Sequence, residues 1–301
     1  MLKIGNTPLK KLDGIQQRYS CSANLFAKLE SFNAGGSVKD RIALKMIEMA
    51  EKEGKIKKGG VFIEPTSGNT GIGISLIAKD RGYRALIVMP ESMSIERREM
   101  IKSYGGELVL TEAKLGMKGA IAKAKELNEL IPNSLILGQF DNPNNPLAHY
   151  ENTGPEIYQQ LDGKVDILVS GVGTGGTLTG IGKYLKEKNP NVKVIAVEPL
   201  TSPVLSKGVA GPHGIQGIGA GFVPSILDTS LIDEVIDISD DEAFAFGKEI
   251  NQVDGVSAGI SSGAALCAAI KVAQRKENEG KNVVVIFPDG ADRYQSTRLF
   301  K

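Results

Sequence analysis

The sequence predicts an α/β protein with helices on both faces of mostly parallel sheet, and three observations carry that prediction. Short runs of Val, Ile and Leu recur along the chain, several of them apolar nearly throughout, as strands buried on both faces are. Segments with helical spacing separate these runs from one end to the other. Glycine gathers where a run gives way to a helical segment, the place at which open α/β sheets bind ligands.

In order, strands are expected at 25–29, 61–64, 85–89, 107–110, 135–140, 167–170, 192–197, 234–238 and 283–287. Between the first two, Ile42, Met46 and Met49 share one face of a helix over 38–53. Ser37 is its expected N-cap and Gly54 its stop. A helix follows the strand at 167–170, with Leu178, Ile181 and Leu185 on one face. Ser239-Asp240-Asp241-Glu242 is a capping box that opens a helix over 240–251. Ser257-Ala258-Gly259-Ile260 opens a last long helix, expected to run to about 279. The Asn142-Pro143 and Asn145-Pro146 pairs make 139–155 the expected crossing between domains.

Length and composition bound the function. At ~150 residues per domain, 301 residues favour two domains. Hydrophobic residues at 41% and charged residues at 24% supply an ordinary core and exclude disorder. The net charge is 36 − 35 = +1, with both signs interleaved, so no large basic surface for nucleic acid is expected. No apolar stretch approaches the ~18 residues of a membrane span, and the N-terminal residues have no signal-peptide core. A cytoplasmic protein is therefore expected. Cys21 and Cys267 are distant from each other and suit a reducing compartment as inert thiols. His149 and His213, the only histidines, exclude a three-His metal site and are read as structural or surface residues; no metal site is expected. Glycine is the outlier, at 36 of 301 residues or about 12% against a usual ~7%.

Three glycine-bearing junctions and one helix start could carry chemistry. Gly171-Val172-Gly173-Thr174-Gly175-Gly176-Thr177 offers helix-start N–H groups and two hydroxyls, which suit a phosphate. The same segment matches a dinucleotide fingerprint, with Glu198 about 20 residues on as a ribose-binding acid, so dinucleotide, phosphate monoester and plain turn all remain open here. Thr66-Ser67-Gly68-Asn69-Thr70 forms a small anion cradle sized for a carboxylate, or simply a capped turn. Lys39 falls in the first turn of its helix, where the positive end of the macrodipole disfavours its charged form. A Schiff-base lysine needs that free amine, although a surface lysine paired with Asp40 or Glu64 would fit as well. The fourth segment, around Ser261 and Ser262, reads alone as a helix start.

Together and in this order, these motifs resemble the fold-type II pyridoxal-phosphate (PLP) enzymes, and most nearly the cysteine synthases, or O-acetylserine sulfhydrylases. The resemblance runs from Ile4-Gly5-Asn6-Thr7-Pro8-Leu9 to Arg293-Tyr294 and includes Gln139-Phe140 and the 214–221 glycine segment. It overrides the dinucleotide reading, which leaves Lys39 and the 66–70 cradle unexplained. The resemblance implies two doubly wound domains with mostly parallel sheets, as in the tryptophan synthase β chain. One would span 34–145 and carry the Schiff-base lysine and the carboxylate loop. The other would comprise 1–33 and 146–301 and carry the phosphate loop and the ring-nitrogen serine.

The residue roles it implies are these. Lys39 forms the Schiff base and removes the substrate α-proton. Gly173, Thr174, Gly175, Gly176 and Thr177 hold the PLP phosphate. Asn69 hydrogen-bonds the ring 3-oxygen, and Ser261, in preference to Ser262, faces the pyridine nitrogen. Thr66, Ser67, Gly68 and Thr70, with Gln139, take the substrate α-carboxylate. A serine cannot hold the pyridine nitrogen protonated as an aspartate would, which suits β-elimination better than transamination. The implied reaction is ping-pong formation of L-cysteine and acetate from O-acetyl-L-serine and sulfide through α-aminoacrylate, with part of the N-terminal domain closing over the carboxylate. Cystathionine β-synthase and sulfide-releasing cysteine desulfhydrase chemistry are the alternatives on the same fold. An NAD(P)-dependent oxidoreductase is the alternative of another class. A homodimer and a serine acetyltransferase complex are the implied partners. Two departures stand out: Ala34 where the family usually has Pro, and Pro288-Asp289-Gly290-Ala291-Asp292 before Arg293-Tyr294.

Overall fold

The computed structural model describes residues 2–300. Its strands, in chain order, are β1 (Leu9–Lys11), β2 (Asn24–Leu29), β3 (Val61–Pro65), β4 (Arg84–Pro90) and β5 (Glu107–Thr111). They continue with β6 (Ser134–Ile136), β7 (Ile167–Gly171), β8 (Lys193–Pro199), β9 (Glu234–Ile238) and β10 (Asn282–Phe287). The helices are α1 (Asp13–Arg18), α2 (Lys39–Lys52), α3 (Asn69–Arg81), α4 (Ile95–Ser103), α5 (Gly116–Leu130) and α6 (Asn144–Ala148). After these come α7 (Gly154–Gln160), α8 (Gly176–Lys188), α9 (Val204–Lys207), α10 (Asp240–Asp254) and α11 (Ile260–Ala273). They fall into two compact units: one takes in Asn33–Asn145 with the residues up to Ile4, the other Gly5–Phe32 and the chain from Pro146 on.

The first unit is built on a parallel four-stranded sheet in the order β5-β4-β3-β6. Side chains alternate across a strand, so Val61, Ile63, Leu86 and Val88 share one face, where they pack on Ala120 and Ala124 of α5. Phe62 and Ile87, between them, are buried on the opposite face. There α3 packs against β4, and α2 packs on α3.

The second unit has six strands in the order β1-β2-β10-β7-β8-β9, parallel except for β1 against β2. On one face Leu25, Ala27, Val169, Val283 and Val285 meet the alanine-rich α11, with Ala243 and Phe244 of α10. On the other, Leu168, Val194, Ala196 and Val284 meet Leu178, Ile181 and Leu185 of α8. Sheets with helices on both faces are the doubly wound architecture expected from the sequence. The predicted capping box is present: the Ser239 hydroxyl accepts the Glu242 N–H at 3.3 Å, and the Glu242 carboxylate accepts the Ser239 N–H at 2.9 Å. No helix among the described residues is long and apolar enough to cross a membrane.

Several boundaries differ from those expected, each for a physical reason. The run expected at 135–140 ends its pairing at Ile136, because Gly138 turns into the left-handed region (φ +68°) and Gly138 and Gln139 give their N–H groups to a side chain rather than to a strand. The last helix stops at Ala273, and a single 3-10 turn at Lys276–Asn278 follows it instead of continued helix. In α2 the N-cap position is Val38, although the Ser37 hydroxyl does accept the Lys39 N–H at 3.2 Å. Strand β1 was not expected: with one leucine in three residues it carries no pattern of its own and exists by pairing with β2.

Candidate functional site

The candidate residues divide into two groups, one in each unit. In the first unit, the loop before α2 is drawn together by Asp40, whose buried carboxylate accepts the Gly35 N–H at 2.6 Å, and by Asn33, whose amide donates to the Ser37 carbonyl at 3.1 Å. This sets Lys39 as the first residue of α2, half-buried. A Cβ on Gly73 would lie 3.2 Å from both the Lys39 carbonyl oxygen and an Asp40 carboxylate oxygen. Glycine here gives room for α2 and α3 to approach this closely, so Lys39 starts beside the helix that Asn69 and Thr70 open. Ala34, where the family usually has Pro, donates its N–H to the Lys3 carbonyl at 2.9 Å, a bond that Pro could not make.

The 66–70 loop leaves β3 and runs into α3 through Gly68, whose extended backbone forms the N-cap. The Thr66 hydroxyl accepts the Gly68 N–H at 3.3 Å, and the Ser67 carbonyl accepts from the Arg97 guanidinium at 3.1 Å. No atom lies within 4 Å of where a Gly68 Cβ would stand. The helix-start N–H groups beside that open space suit a small anion. Thr70 donates its hydroxyl proton to Gln139 Oε1 at 2.6 Å, and both side chains are buried. That bond uses the hydroxyl's one proton, so of this pair it is the Gln139 amide N–H groups that stay free to donate to a carboxylate. Gln139 is itself held from below: Gly138 and Gln139 N–H donate to Glu64 Oε2 and Oε1 at 3.0 and 3.2 Å. Burial pushes the Glu64 carboxyl up to about 7, against the pull of the N–H groups of Gly138, Gln139 and Leu137.

In the second unit, β7 ends at Gly171 and the chain turns through Gly173, Thr174 and Gly175 into α8. Gly175 is the N-cap with φ +83°, and the Thr174 hydroxyl accepts the Gly176 N–H at 3.4 Å. A Cβ on Gly173 would stand 2.4 Å from the Gly217 carbonyl oxygen, so the 217–219 backbone lies directly against this loop. Gly219 N–H donates to the Val172 carbonyl at 3.0 Å and strengthens that contact. The same Gly217, at φ +98°, has its would-be Cβ 3.4 Å from Ser261 Oγ. One segment thus touches both the glycine loop and the buried Ser261 in the first turn of α11. Ser262, by contrast, donates its hydroxyl to the Asp289 carbonyl at 3.4 Å.

Three residues outside the sequence motifs support these groups. His149, fully buried in a π-helical turn, hydrogen-bonds Thr177 Oγ1 through Nε2 at 3.2 Å and Thr153 Oγ1 through Nδ1 at 2.9 Å. Asp289 accepts the Gly259 N–H through its carbonyl at 3.1 Å and the Tyr294 hydroxyl through Oδ2 at 2.6 Å, which fixes the start of α11. Glu64 is the third. None has a local sequence signature; each is defined by partners distant in the chain. Glu198, the acid of the dinucleotide reading, accepts the N–H groups of Leu205 and Ser206 at 2.7 and 2.9 Å, and so caps α9. His213 bonds the Gly219 carbonyl at 2.9 Å, a structural tie. Both thiols are raised by burial, Cys267 to about 12.

A phosphorylated pyridine aldehyde requires donors for its phosphate and ring oxygen, a partner for its ring nitrogen and an amine for its carbonyl. The 173–177 loop offers helix-start N–H groups and two hydroxyls for a phosphate, Ser261 a hydroxyl suited to a neutral ring nitrogen, Asn69 an amide and Lys39 a primary amine. A Cβ on Gly173 would collide with the Gly217 carbonyl oxygen and one on Gly217 would stand against Ser261, so glycine at both positions keeps the loop and the serine close together. The residues fit that group.

Comparison with known proteins gives the same direction. The profile of the family described as "Pyridoxal-phosphate dependent enzyme" matches residues 1–289. A cysteine synthase from Staphylococcus aureus is 51% identical over 298 residues, covering 99% of this chain and 95% of its own. The crystal structure of a cysteine synthase from Entamoeba histolytica superposes with a TM-score of 0.95 at 45% identity, covering 99% of this chain and 88% of that one. A hydrogen sulfide-producing enzyme from Fusobacterium nucleatum superposes at 0.92 with 46% identity, covering 97% of each chain.

Proposed function

The chain belongs to the pyridoxal-phosphate dependent enzyme family, and from that premise we propose that it is a transferase forming L-cysteine and acetate from O-acetyl-L-serine and sulfide. The observation that carries this reading is the near-complete match to cysteine synthase, 51% identical over 99% of the chain. Pyridoxal phosphate is its cofactor. We assign the lysine and carboxylate loop to the first unit, and the phosphate loop and ring serine to the second.

Lys39 would hold the cofactor through its amine, and Gly173, Thr174, Gly175, Gly176 and Thr177 would hold the phosphate by the N–H groups that open α8. Asn69 would bond the ring oxygen and Ser261 the ring nitrogen. When bound, the cofactor supplies an electron sink for the pair left as the α-proton departs. Lys39 Nζ, as a free amine, would be the base that takes that proton from the substrate. The N–H groups beside Gly68, with Thr66 and Ser67, orient the substrate α-carboxylate, and Gln139 adds its amide N–H; Thr70 acts on that carboxylate through Gln139. Acetate leaves from Cβ with its bonding pair; sulfide then forms the new C–S bond at the same carbon, and Lys39 Nζ would return the proton to Cα, which completes L-cysteine. Two unpaired thiols, Cys21 half-buried and Cys267 buried, suit a reducing compartment, and we place the protein in the cytoplasm.

We also assign a homodimer: Met117 and Ile121, one turn apart at the start of α5, are exposed apolar side chains that a second copy would cover. A serine acetyltransferase is the proposed hetero-partner. Sulfide release from cysteine is the second reading, favoured by the Fusobacterium nucleatum neighbour.

The visible spectrum of the purified protein tests the reading. A yellow band that moves to longer wavelength with O-acetyl-L-serine and returns on adding sulfide is expected. A band moved only by cysteine, with release of sulfide, would shift the assignment to the second reading. A protein that stays colourless after incubation with pyridoxal phosphate would refute both.

A further inference from the structure

We propose that Glu64 is a positioning residue that sets the reach of the Gln139 amide by gripping the backbone behind it. This rests on the proposed contact between Gln139 and the substrate carboxylate.

Glu64 lies near the end of β3, two residues before the carboxylate loop begins, and its side chain is 1% exposed. Its two oxygens accept the N–H groups of successive residues, Gly138 at 3.0 Å and Gln139 at 3.2 Å. The Leu137 N–H also bears on the carboxylate. Gly138 is in the left-handed region at φ +68°, so the backbone curls and turns successive N–H groups to one side. Such a curl is an anion-binding nest, and here the anion is a side chain of the same unit. The neighbouring strand ends at Ile136, so without Glu64 the N–H groups of 137–139 have no ladder partner.

The grip reaches the site in two steps. It fixes the Gln139 backbone, to which the Asn145 amide adds a bond at the carbonyl oxygen, 2.8 Å away. The Gln139 side chain is then held by Thr70 at 2.6 Å, from the first turn of α3. Glu64 and Thr70 sit at the two ends of one loop, on β3 and α3. The sheet pairs these segments only as far as Ile63 with Ile136, and beyond that pair the distance between the 66–70 loop and Gln139 is set by one buried carboxylate. Glutamine at position 64 would keep one accepting oxygen and turn an NH2 group against the second N–H.

The test is a double-mutant cycle on the holoenzyme with Glu64→Gln, Gln139→Ala and the pair, using L-serine as the carboxylate-bearing probe in calorimetry. Glu64→Gln is expected to raise the L-serine Kd about tenfold, the effect of one lost hydrogen bond to a charged group. KM for O-acetyl-L-serine should rise with it, while the pyridoxal phosphate Kd is unchanged. In the Gln139→Ala background, Glu64→Gln should add nothing. Glu64→Asp, which keeps both oxygens, should recover part of the affinity and serves if the glutamine variant fails to fold. Equal effects of Glu64→Gln with and without Gln139, or no effect at all, would overturn the proposal. Gln139→Ala with unaltered L-serine affinity would instead overturn the substrate assignment on which it rests.

Discussion

Gly173→Ala separates the glycine loop's proposed task from its contribution to the fold. The new Cβ would stand 2.4 Å from the Gly217 carbonyl oxygen, where ordinary contact begins at 3.4 Å, so the two backbones must part by 3.4 − 2.4 = 1.0 Å. Neither atom belongs to a flexible side chain, and the loop must therefore move. An N–H donor displaced by that distance no longer hydrogen-bonds the phosphate. Each hydrogen bond to a charged group contributes about 1.5–3 kcal/mol, so loss of a single donor weakens cofactor binding about 10- to 100-fold. The assay is titration of apoprotein with pyridoxal phosphate, followed by its absorbance, with thermal unfolding of the same apoprotein alongside. Gly182→Ala, in the helix α8 that the loop leads into, is the control: its nearest contacts would be Val194 methyls at 3.3 and 3.5 Å, and it should leave cofactor affinity as it is. If Gly173→Ala binds the cofactor as tightly as the unaltered protein, this loop does not hold the phosphate.

Two further predictions concern stability. Ser239→Ala removes the hydroxyl that accepts the Glu242 N–H at 3.3 Å, and should destabilise the second unit by about 1 kcal/mol and lower its Tm by about 2–4 °C. An unchanged melting curve would show that the cap contributes nothing. Glu64 has a folded-state pKa of about 7 against an ordinary 4.5, so the folded state holds its proton more tightly than the unfolded state does. The sign is that of a raised acid: stability is highest below pH 4.5, declines as pH rises toward 7, and is level above. A pKa difference of 7 − 4.5 = 2.5 corresponds to about 3 kcal/mol. The stability of the native protein minus that of Glu64→Gln should fall by that amount across the window. Parallel curves from chemical denaturation at the two ends would contradict the buried, proton-binding carboxylate.

What the amino-acid sequence made legible was whatever is encoded locally. Apolar runs such as Val283 to Phe287 are strands because both faces are buried. Ser239 and Glu242 announce a helix start by their spacing, and the glycine loops stand out because only glycine admits backbone so near. The same rule explains the misses. Leu135, Ile136 and Leu137 read as one strand, yet pairing stops at Ile136, since a carboxylate 74 positions away takes the next N–H groups. His149 meets Thr177 over a separation of 28 residues and had no pattern to betray it. Asp289 lies within one of the two places that depart from the family's usual sequence, which drew attention to it without revealing the Tyr294 and Gly259 bonds that define it.

The strand order of the larger sheet has a consequence for synthesis. β10 is an inner strand, registered along its length with β2 through pairs such as Asn282 with Asn24 and bonded on its other side to β7. On a ribosome, β1 and β2 are made long before β10, so this early antiparallel pair waits for residues 30 to 281 to be made before the neighbour on its other side exists. The unit containing Asn33–Asn145 carries all four of its strands in one uninterrupted stretch and can close long before that. The nascent chain thus acquires its lysine-bearing half first. The glycine loop after β7 gains a finished sheet beneath it only as β10, the last strand, slots in.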